Sequence, residues 1–347
     1  MQTPGLFDVQ VNGFAGVDFN DAGLTAQRLD DALEAMLQDG VTGCLPTLIT
    51  ASPRQLRERI KALDCAVRDS RLGPIMVPGY HIEGPFLNDA AGYRGCHPAE
   101  AMTDPDGALI EDIRQNLYRP VLLITLAPER AGGVQSVRRF HEAGLTVAIG
   151  HSSAGYETIA AAADAGLSMS THLGNGLPQT LHKLDNTLLA QLAEPRLKAC
   201  LIADGHHISP AALKALIDLK RPQNCILVTD AVVGAAAPVG DYSFAGMRVH
   251  RLEDGRVVDD GSDGLAGSAL QLDQAVRNVV DWRIVEPGQA MEMAGNQARA
   301  AISEAMTKQH IAVEPGHVSW SDALEPKIER MPKIEVHNSP VLTRRIP

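Results

Sequence analysis

The chain alternates short apolar runs with stretches of helical periodicity, and this alternation is the feature that most restricts its fold. The apolar runs occupy residues 6–11, 41–48, 75–82, 121–127, 145–149, 167–171, 198–203 and 225–228. Amphipathic segments lie between them, as in residues 26–38 and 53–69. Strands that are apolar throughout and alternate with helices indicate a parallel sheet covered on its outer face. Eight such units predict an α/β fold, a closed (β/α)8 TIM barrel.

The pattern changes after Asp230. Residues 247–250 and 256–258 predict a β-hairpin with a glycine-bearing turn. Two helical stretches follow, near residues 270–282 and 290–306. We assign no secondary structure to the proline-containing tail.

These patterns divide the chain into two parts. We expect a barrel over residues 4–310, interrupted by a β-hairpin insertion near 242–262, and a separate tail over 311–347. A dinucleotide site is not expected, because Gln179 stands where the third glycine of the fingerprint that begins at Gly174 would be.

Composition excludes several classes of protein. The 347 residues carry a formal net charge of −11 and no tract rich in lysine and arginine, so nucleic acid is not an expected partner. No apolar run approaches the roughly 18 residues of a membrane-spanning helix, and no export signal is visible. The 5 cysteines never occur as C-x-x-C, which favours a reducing cytoplasm over a disulfide framework.

Polar side chains follow the predicted strands at their carboxyl ends, where barrels of this kind carry their active sites. Glu83, His151 and His172 end three different strands and point at a common centre. Two imidazoles and one carboxylate, with room for water, are the ligand set of a catalytic zinc or similar divalent ion. Asp230 ends the last strand and is a candidate general base and acid.

Each of these residues also has a simpler interpretation. A single histidine at a strand end is more often a hydrogen-bonded residue than a ligand, and Glu83 or Asp230 could cap a local turn or helix. Serine hydrolysis is a weaker alternative, because residues 150–155 do not match G-x-S-x-G. Cys96 beside His97 is interpreted as a packing residue, since adjacent residues on an extended loop usually point apart.

A series of short motifs runs in order from about residue 4 to residue 306. They are Asp8-Val9-Gln10-Val11-Asn12-Gly13, His81-Ile82-Glu83-Gly84-Pro85-Phe86, Gly95-Cys96-His97, Gly150-His151-Ser152, Thr171-His172-Leu173-Gly174-Asn175, Ala203-Asp204-Gly205-His206-His207, Val228-Thr229-Asp230-Ala231 and Leu265-Ala266-Gly267-Ser268. This combination resembles the N-acetylglucosamine-6-phosphate deacetylases, which belong to the amidohydrolase superfamily of metal-dependent barrels.

The resemblance implies hydrolysis of the N-acetyl group of an amino-sugar 6-phosphate in amino-sugar catabolism, giving acetate and the free amine. It makes Glu83, His151 and His172 the metal ligands and Asp230 the general base and acid. Many amidohydrolases hold a second metal with a His-x-His pair on the first strand, where this chain has Gln10. The resemblance therefore implies one divalent ion, expected to be Zn²⁺, with Fe²⁺ or Mn²⁺ as alternatives.

Further positions resemble the substrate-binding residues of the family. They are Cys96, His97, Asn175, Gly176, Lys183, Asp204, His207, Leu265, Ala266 and Gly267. His97 or His207 could polarise the acetyl carbonyl or hold a sugar hydroxyl. The family usually has Asn-Ala-Met and then a phosphate-binding arginine, whereas this chain has Gly176 and Lys183 at those positions. A lysine binds phosphate as a point charge without the planar fork of arginine.

The ends of the chain also depart from the family pattern. Relatives usually carry a segment before the first barrel strand that forms a small β-sandwich with C-terminal strands, whereas this chain begins almost at the barrel. The tail from Pro315 onward lacks the usual alternation. We expect the sandwich to be reduced or absent, and a homodimer in which the partner covers exposed strand edges.

Two further functions compete with the phosphosugar deacetylase. Lys183 and Gly176 motivate an amidohydrolase that acts on a different or unphosphorylated N-acyl substrate. A non-catalytic sugar-phosphate-binding protein is disfavoured, because the ligand set and Asp230 are all present.

Overall fold

A computed structural model describes residues 1–260 and 264–337 of the chain. The strands of the first 228 residues are β1 (Gln2–Pro4), β2 (Leu6–Val11), β3 (Gly13–Phe14), β4 (Val17–Asp18), β5 (Val41–Ile49), β6 (Tyr80–Glu83), β7 (Val121–Leu126), β8 (Thr146–Ile149), β9 (Leu167–Ser170), β10 (Lys198–Ile202) and β11 (Cys225–Val228). Strand β2 and strands β5 to β11 form one eight-stranded sheet whose neighbours follow in chain order. Their paired registers are parallel.

The sheet closes on itself between its first and last strands. Asp230 N donates to Gln10 O at 3.0 Å, and Asn12 N donates to Ala231 O at 2.7 Å. A parallel bridge pairs Val11 with Ala231. These bonds continue the ladder past the end of β11, so the predicted (β/α)8 barrel is confirmed.

The helices cover the outer face of this sheet. They are α1 (Ala26–Gln38), α2 (Pro53–Asp69), α3 (Gly73–Met76), α4 (Gly107–Ile113), α5 (Gly133–Glu142), α6 (Tyr156–Asp164), α7 (Thr187–Ala193), α8 (Pro210–Lys220), α9 (Leu272–Asp281), α10 (Pro287–Ala294), α11 (Asn296–Ala301) and α12 (Ser303–Lys308). Helix α2 shows why such segments begin where they do: Ser52 and Gln55 form a capping box, and Pro53 occupies the first helical position. Within the described residues, we find no helix with the length and apolar character to cross a bilayer.

Two predicted elements are wrong in their extent. The predicted strand over residues 75–82 is a short helix followed by β6, because Pro74 favours a helical start and Pro78 offers no N–H to a ladder. The predicted helix over residues 290–306 divides into α10, α11 and α12. The first break falls at Gly295, whose φ of −136° and ψ of −87° lie outside the helical region.

A small antiparallel sheet is inserted after β11. Its strands are β12 (Gly240–Phe244), β13 (Met247–Arg251), β14 (Arg256–Asp259) and β15 (Leu265–Ser268), in that spatial order. The β13–β14 hairpin was predicted, whereas β12 and β15 were not; residues 261–263 lie outside the described part of the chain. A bridge between Ala231 and Ser268 joins this sheet to the barrel seam.

The tail contains strands that the sequence analysis does not assign. They are β16 (Ile311–Glu314), β17 (His317–Trp320), β18 (Pro326–Arg330) and β19 (Lys333–Val336). Strands β17 and β18 form a sheet with the N-terminal β1, and β16 pairs with β19. The described part of the tail therefore adds two small sheets to the barrel, and residues 338–347 lie outside that part.

Candidate metal centre and substrate cavity

A cavity of about 510 Å³ lies at the carboxyl ends of the barrel strands. Most of the sequence-predicted site residues line it: Glu83, Cys96, His97, His151, His172, Asn175, Gly176, His207, Asp230, Leu265 and Gly267. Residues that were not predicted also line it, among them Asn12, Leu177, His206 and Phe244. Asn12 could have been found by strand periodicity, since it lies two residues after Gln10, just past the end of β2, where an extended chain would direct both side chains to the same side.

Glu83 is the centre of a buried group of imidazoles, and only 2% of its surface is exposed. Its Oε1 lies 2.9 Å from His172 Nε2 and 3.5 Å from His151 Nε2. His97 Nε2 approaches Oε2 at 4.0 Å. Candidate ligand atoms of Glu83, His97 and His151 all lie within 4.8 Å of one another. The structure therefore brings together the predicted ligands Glu83, His151 and His172, and it adds His97 to the same cluster.

The orientation of His151 suits a metal ligand. Its Nδ1 is 2.6 Å from the carbonyl oxygen of Tyr93 and must donate, because a carbonyl only accepts. The Nε2 atom is then an acceptor, and it is buried without a hydrogen-bond partner among the described residues. A carbonyl behind a coordinating imidazole is the usual support of such a ligand. A buried acceptor nitrogen facing a carboxylate fits a divalent cation, and nitrogen and oxygen ligands suit zinc.

The charges of the cluster are strongly coupled. Burial alone would raise the pKa of Glu83, but contacts with His151 and His172 hold that pKa well below its usual range. Burial alone would lower the pKa of His172, but Glu83 raises it to about 9. Burial lowers the pKa of His97 to about 3, with a further contribution from His151. The centre thus holds one firmly ionised carboxylate beside His97, a neutral imidazole.

Asp230 lies beside Glu83 and is held by amide side chains from β2 and its end. Its Oδ1 accepts from Asn12 Nδ2 at 2.8 Å and from Gln10 Nε2 at 3.1 Å. Gln10 Nε2 also lies 3.2 Å from Glu83 Oε2, so Gln10 joins the two carboxylates. Burial, together with the charge of Glu83, raises the pKa of Asp230 above its ordinary value. A carboxyl group with a raised pKa is a stronger base than an ordinary carboxylate, which suits a group that accepts and returns a proton.

Three strand-end residues adopt positive φ angles, which side chains with a Cβ rarely do. The angle is 49° at His151, 29° at His172 and 49° at Asp230. Such conformations persist only where the surrounding structure holds them, and they concentrate at functional sites.

The substrate side of the cavity contains an oriented histidine. His207 Nδ1 lies 2.6 Å from Asp204 Oδ2, and Asp204 Oδ1 accepts from the backbone N–H groups of His206 and His207. Burial would raise the pKa of Asp204, but the contact with His207 lowers it overall. Asp204 therefore orients the His207 ring from the side away from the cavity. Asn175, another predicted residue, donates its Nδ2 to His172 O at 3.1 Å.

Three predicted substrate-binding residues lie outside the cavity lining: Asp204, which contacts His207 from behind, Lys183 and Ala266. Lys183 is exposed on the loop that follows Asn175, next to Leu184, which is 68% exposed. Ala266, on β15 of the inserted sheet, is fully buried in an apolar cluster with Val232 and Val249. Within the described residues, the lining therefore includes neither Lys183 nor Ala266.

Comparisons with known proteins agree with this geometry. No model of a known protein family matches the chain. The N-acetylgalactosamine-6-phosphate deacetylase of Escherichia coli is 34% identical over 292 residues, which cover 84% of this chain and 75% of that protein. The N-acetylglucosamine-6-phosphate deacetylase of Lysinibacillus sphaericus is 33% identical over 281 residues, covering 80% of this chain and 70% of that protein.

A solved structure extends the comparison to the fold. It is a mutant N-acetyl-D-glucosamine-6-phosphate deacetylase from Mycobacterium smegmatis in complex with N-acetyl-D-glucosamine-6-phosphate. It matches with a TM-score of 0.83 and 25% identity, covering 97% of this chain and 87% of that chain. The fold and the site thus define a barrel of the amidohydrolase type. Within that class, the chain belongs to the N-acetylglucosamine-6-phosphate deacetylase family.

Proposed function

We propose that this chain hydrolyses the N-acetyl group of an N-acetylhexosamine 6-phosphate to acetate and the free amine. One observation carries the proposal: Glu83, His151, His172 and Asp230 come from four strand ends and meet in one cavity. That arrangement combines a ligand set for a divalent ion with a carboxyl group of raised pKa. Family membership supports amide hydrolysis of an amino-sugar phosphate as the reaction.

Glu83, His151 and His172 would hold one divalent ion, which we propose to be zinc, with Fe²⁺ and Mn²⁺ as the alternatives. When bound, such an ion supplies Lewis-acid chemistry, making water more acidic and a carbonyl more electrophilic. Gln10 donates to Glu83 from the position where a His-x-His pair would begin, which supports a single-metal centre. Metal analysis of the purified protein decides between the three ions.

The proton transfers are assigned to Asp230. Asn12 and Gln10 both donate to Oδ1 and so fix the orientation of the carboxyl group toward Glu83. In this proposal Asp230 takes the proton of the attacking water and returns it to the nitrogen as the amide C–N bond breaks. The buried surroundings that raise the pKa of Asp230 favour both halves of that cycle.

The sugar would lie against the rest of the cavity wall. We assign its contacts to His97, His207, Asn175, Gly176, Cys96 and residues 265–267, with Asp204 orienting His207. Lys183 is exposed outside the lining, so a phosphate contact from it requires movement of its loop or a second copy of the chain. We therefore propose a homodimer, and a cytoplasmic location in keeping with the five free cysteines.

Acetate release from a small panel of sugars tests this function. The zinc-loaded protein is given the 6-phosphates of N-acetylglucosamine and N-acetylgalactosamine, together with both unphosphorylated sugars. We expect kcat/KM at least about tenfold higher with a 6-phosphate, since a charge-assisted hydrogen bond contributes about 1.5 kcal/mol or more. The preferred phosphosugar identifies the substrate.

Lys183 motivates one competing function, an amidohydrolase of an unphosphorylated N-acyl substrate. Its position outside the cavity lining is the observation that favours this alternative. Equal kcat/KM values with and without the 6-phosphate would replace the phosphosugar assignment with this one.

Substitution of the proposed base tests whether the protein is a catalyst at all. Asp230→Asn is expected to lower kcat by about 10²- to 10⁴-fold, the usual contribution of a positioned acid–base group. Zinc content should be retained, because Glu83, His151 and His172 are unchanged. Asp31→Asn, on the exposed face of α1, serves as the matched control. Wild-type turnover in Asp230→Asn would refute the acid–base role.

A further inference from the structure

Glu129 collects hydrogen bonds from two segments that border the metal centre, although it does not itself line the cavity. Its Oε1 accepts from Asn88 Nδ2 at 2.9 Å and from Ser153 N at 2.6 Å, and Ser153 Oγ adds a third bond at 3.1 Å. Its Oε2 accepts from Ser152 Oγ at 2.6 Å. All these donors are neutral, so the carboxylate acts here as a multiple hydrogen-bond acceptor.

Glu129 joins two segments that both adjoin His151: one follows it in the chain, and the other forms hydrogen bonds with it. Ser152 and Ser153 follow His151 directly, at the exit of β8. Asn88 begins the loop on the other side, and its backbone N–H donates to His151 O at 3.0 Å. Further along the same loop, Tyr93 O accepts from His151 Nδ1. Glu129 therefore fixes the base of the loop that sets the tautomer and direction of the imidazole.

The backbone of His151 also needs such support. Its φ of 49° lies in the left-handed region, which a residue with a Cβ keeps only where the surrounding structure holds it. Two sets of hydrogen bonds hold this conformation. Asn88 N donates to the carbonyl oxygen of His151, and Ser152 Oγ and Ser153 N, in the next two residues, donate to Glu129. Asn88 also donates directly to Ser153 Oγ at 3.0 Å, so one side-chain bond between the loop and the exit of β8 does not involve Glu129. Without Glu129, Ser152 and Ser153 lose the shared acceptor that adds to this bond.

We propose that Glu129 is a positioning residue, which keeps His151 Nε2 aimed at Glu83 by tying the loop at Asn88 to the exit of β8. The inference rests on the proposed role of His151 as a metal ligand. Glu129 follows β7, the fourth strand of the barrel. The proposal therefore gives the segment after this strand a role in orienting the metal centre, although none of the three proposed ligands comes from it.

The test is the zinc affinity of the full-length protein, measured by competition with a chromophoric chelator. Glu129→Ala is expected to weaken zinc binding by about 10- to 100-fold, the usual effect of removing an outer partner of a ligand. Glu129→Gln should stay within a few-fold of the wild type. Its carbonyl still accepts from Asn88 and Ser153, and its amide can donate to Ser152 Oγ. The matched control is Glu157→Ala, an exposed glutamate in the first turn of α6.

A purely structural role would give a different result. It would lower the melting temperature of metal-free Glu129→Ala and leave the zinc affinity of the folded protein unchanged, which would overturn the proposal. If Glu129→Ala does not fold, Ser152→Ala removes the bond to Oε2 and leaves those to Oε1, although Ala154 N also loses its acceptor. This variant should weaken zinc binding by about threefold or more. Unchanged affinity in that variant would equally overturn it. A wild type that binds zinc but releases no acetate would defeat the proposed function and leave this inference standing.

Discussion

Gly176 shows how closely the backbone approaches the His151 imidazole. A Cβ at this position would lie 2.5 Å from His151 Nδ1, and the φ of Gly176 is 63°. The loop therefore runs closer to the imidazole than an alanine at residue 176 would allow. The departure that the sequence shows at residue 176 is therefore a packing requirement of this cavity.

Restoring the family residue at this position should disturb the centre. Gly176→Ala is expected to displace the His151 ring or its loop and to lower zinc affinity and kcat/KM by about tenfold or more, which corresponds to at least 1.4 kcal/mol. Gly288→Ala is the control, because an added Cβ there meets no atom within 4 Å. Chelator competition and acetate release measure the two effects. Full activity in Gly176→Ala would mean that the loop moves freely.

Asp8 provides a residue-scale prediction of pH dependence. It is fully buried at the barrel seam, where its carboxylate accepts from Thr229 Oγ1 at 2.5 Å and from Gln10 N at 3.1 Å. Burial raises its pKa from 3.8 to about 7. The folded protein therefore binds this proton more tightly than the unfolded chain does. The stability contributed by Asp8 is full below about pH 4 and is lost as the pH rises through about 7.

Asp8→Asn removes this titration and keeps the shape of the side chain. The free energy of unfolding of metal-free wild type, minus that of the variant, should fall between about pH 4 and pH 7. Urea unfolding at several pH values measures it. A difference that stays constant across this range would contradict the assigned proton.

At the scale of single residues, the sequence predicts the polar strand ends well. Glu83, His151, His172 and Asp230 could be placed because parallel strands of a barrel deliver their carboxyl ends to one face. Glu129 could be placed near the end of the fourth barrel strand, but its contacts and the true position of Lys183 could not be predicted. Hydrogen bonds between loops and the course of a long loop depend on packing that no local pattern encodes.

Secondary-structure elements meet at a joint between the barrel and the inserted sheet. Ala245, in the β12–β13 turn, donates its N–H to Asp18 Oδ2 at 2.7 Å, and its carbonyl accepts from Arg59 Nη2 at 2.9 Å. Phe244, the preceding residue, lines the substrate cavity. The joint therefore fixes part of the cavity wall through a single turn.

Removal of Asp18 should loosen that turn selectively. Asp18→Ala leaves the Ala245 N–H without its acceptor, at a cost of about 1–3 kcal/mol. Amide exchange of the β12–β13 turn should become about tenfold faster or more, with the barrel strands unaffected. Hydrogen exchange read by mass spectrometry measures the change, and Asp21→Ala, in the same loop but more exposed, is the control. Uniform acceleration across the chain would point to global destabilisation instead.

Elements were predictable where periodicity is strong and turn chemistry is local. The β13–β14 hairpin has a glycine-bearing turn and was found. Strand β12 was missed because it is mostly solvent-facing, and β15 because it contains Gly267 and only four residues. Strand β6 was placed too early because the apolar run at residues 75–77 resembles a strand as well as a short helix.

At the scale of the whole molecule, the N-terminal strand β1 pairs with β17 of the tail. Trp320, on β17, is 5% exposed, and its indole Nε1 donates to Thr3 Oγ1 at 2.8 Å. Its backbone N–H donates to Met1 O at 2.8 Å. The tail thus packs the N-terminal strand against the barrel. This pairing lies between distant parts of the sequence, which explains why the tail strands were not predicted.

Loss of this indole should destabilise the molecule while sparing the centre. Trp320→Ala is expected to lower the free energy of unfolding by about 3–5 kcal/mol, the usual range for a buried tryptophan. Activity per folded molecule should stay near that of the wild type, because Trp320 does not line the cavity. Chemical unfolding and acetate release measure both, with Met331→Ala at an exposed position as the control. A clear loss of activity per folded molecule in Trp320→Ala would show that the tail influences the site.

The seam between the first and last barrel strands connects the order in which the chain is made with the assembly of the candidate site. Gln10 and Asn12 belong to the first barrel strand and its end, whereas Asp230 follows the last strand. Backbone bonds of these residues close the sheet, and the side chains of Gln10 and Asn12 orient Asp230, the proposed acid–base group. During synthesis, the side-chain amides of Gln10 and Asn12 are made long before Asp230, the carboxylate to which they donate. Under the proposed mechanism, a barrel whose first and last strands are not yet joined would hold Glu83, His151 and His172 without an oriented acid–base group. Closure of the barrel would then have to precede turnover.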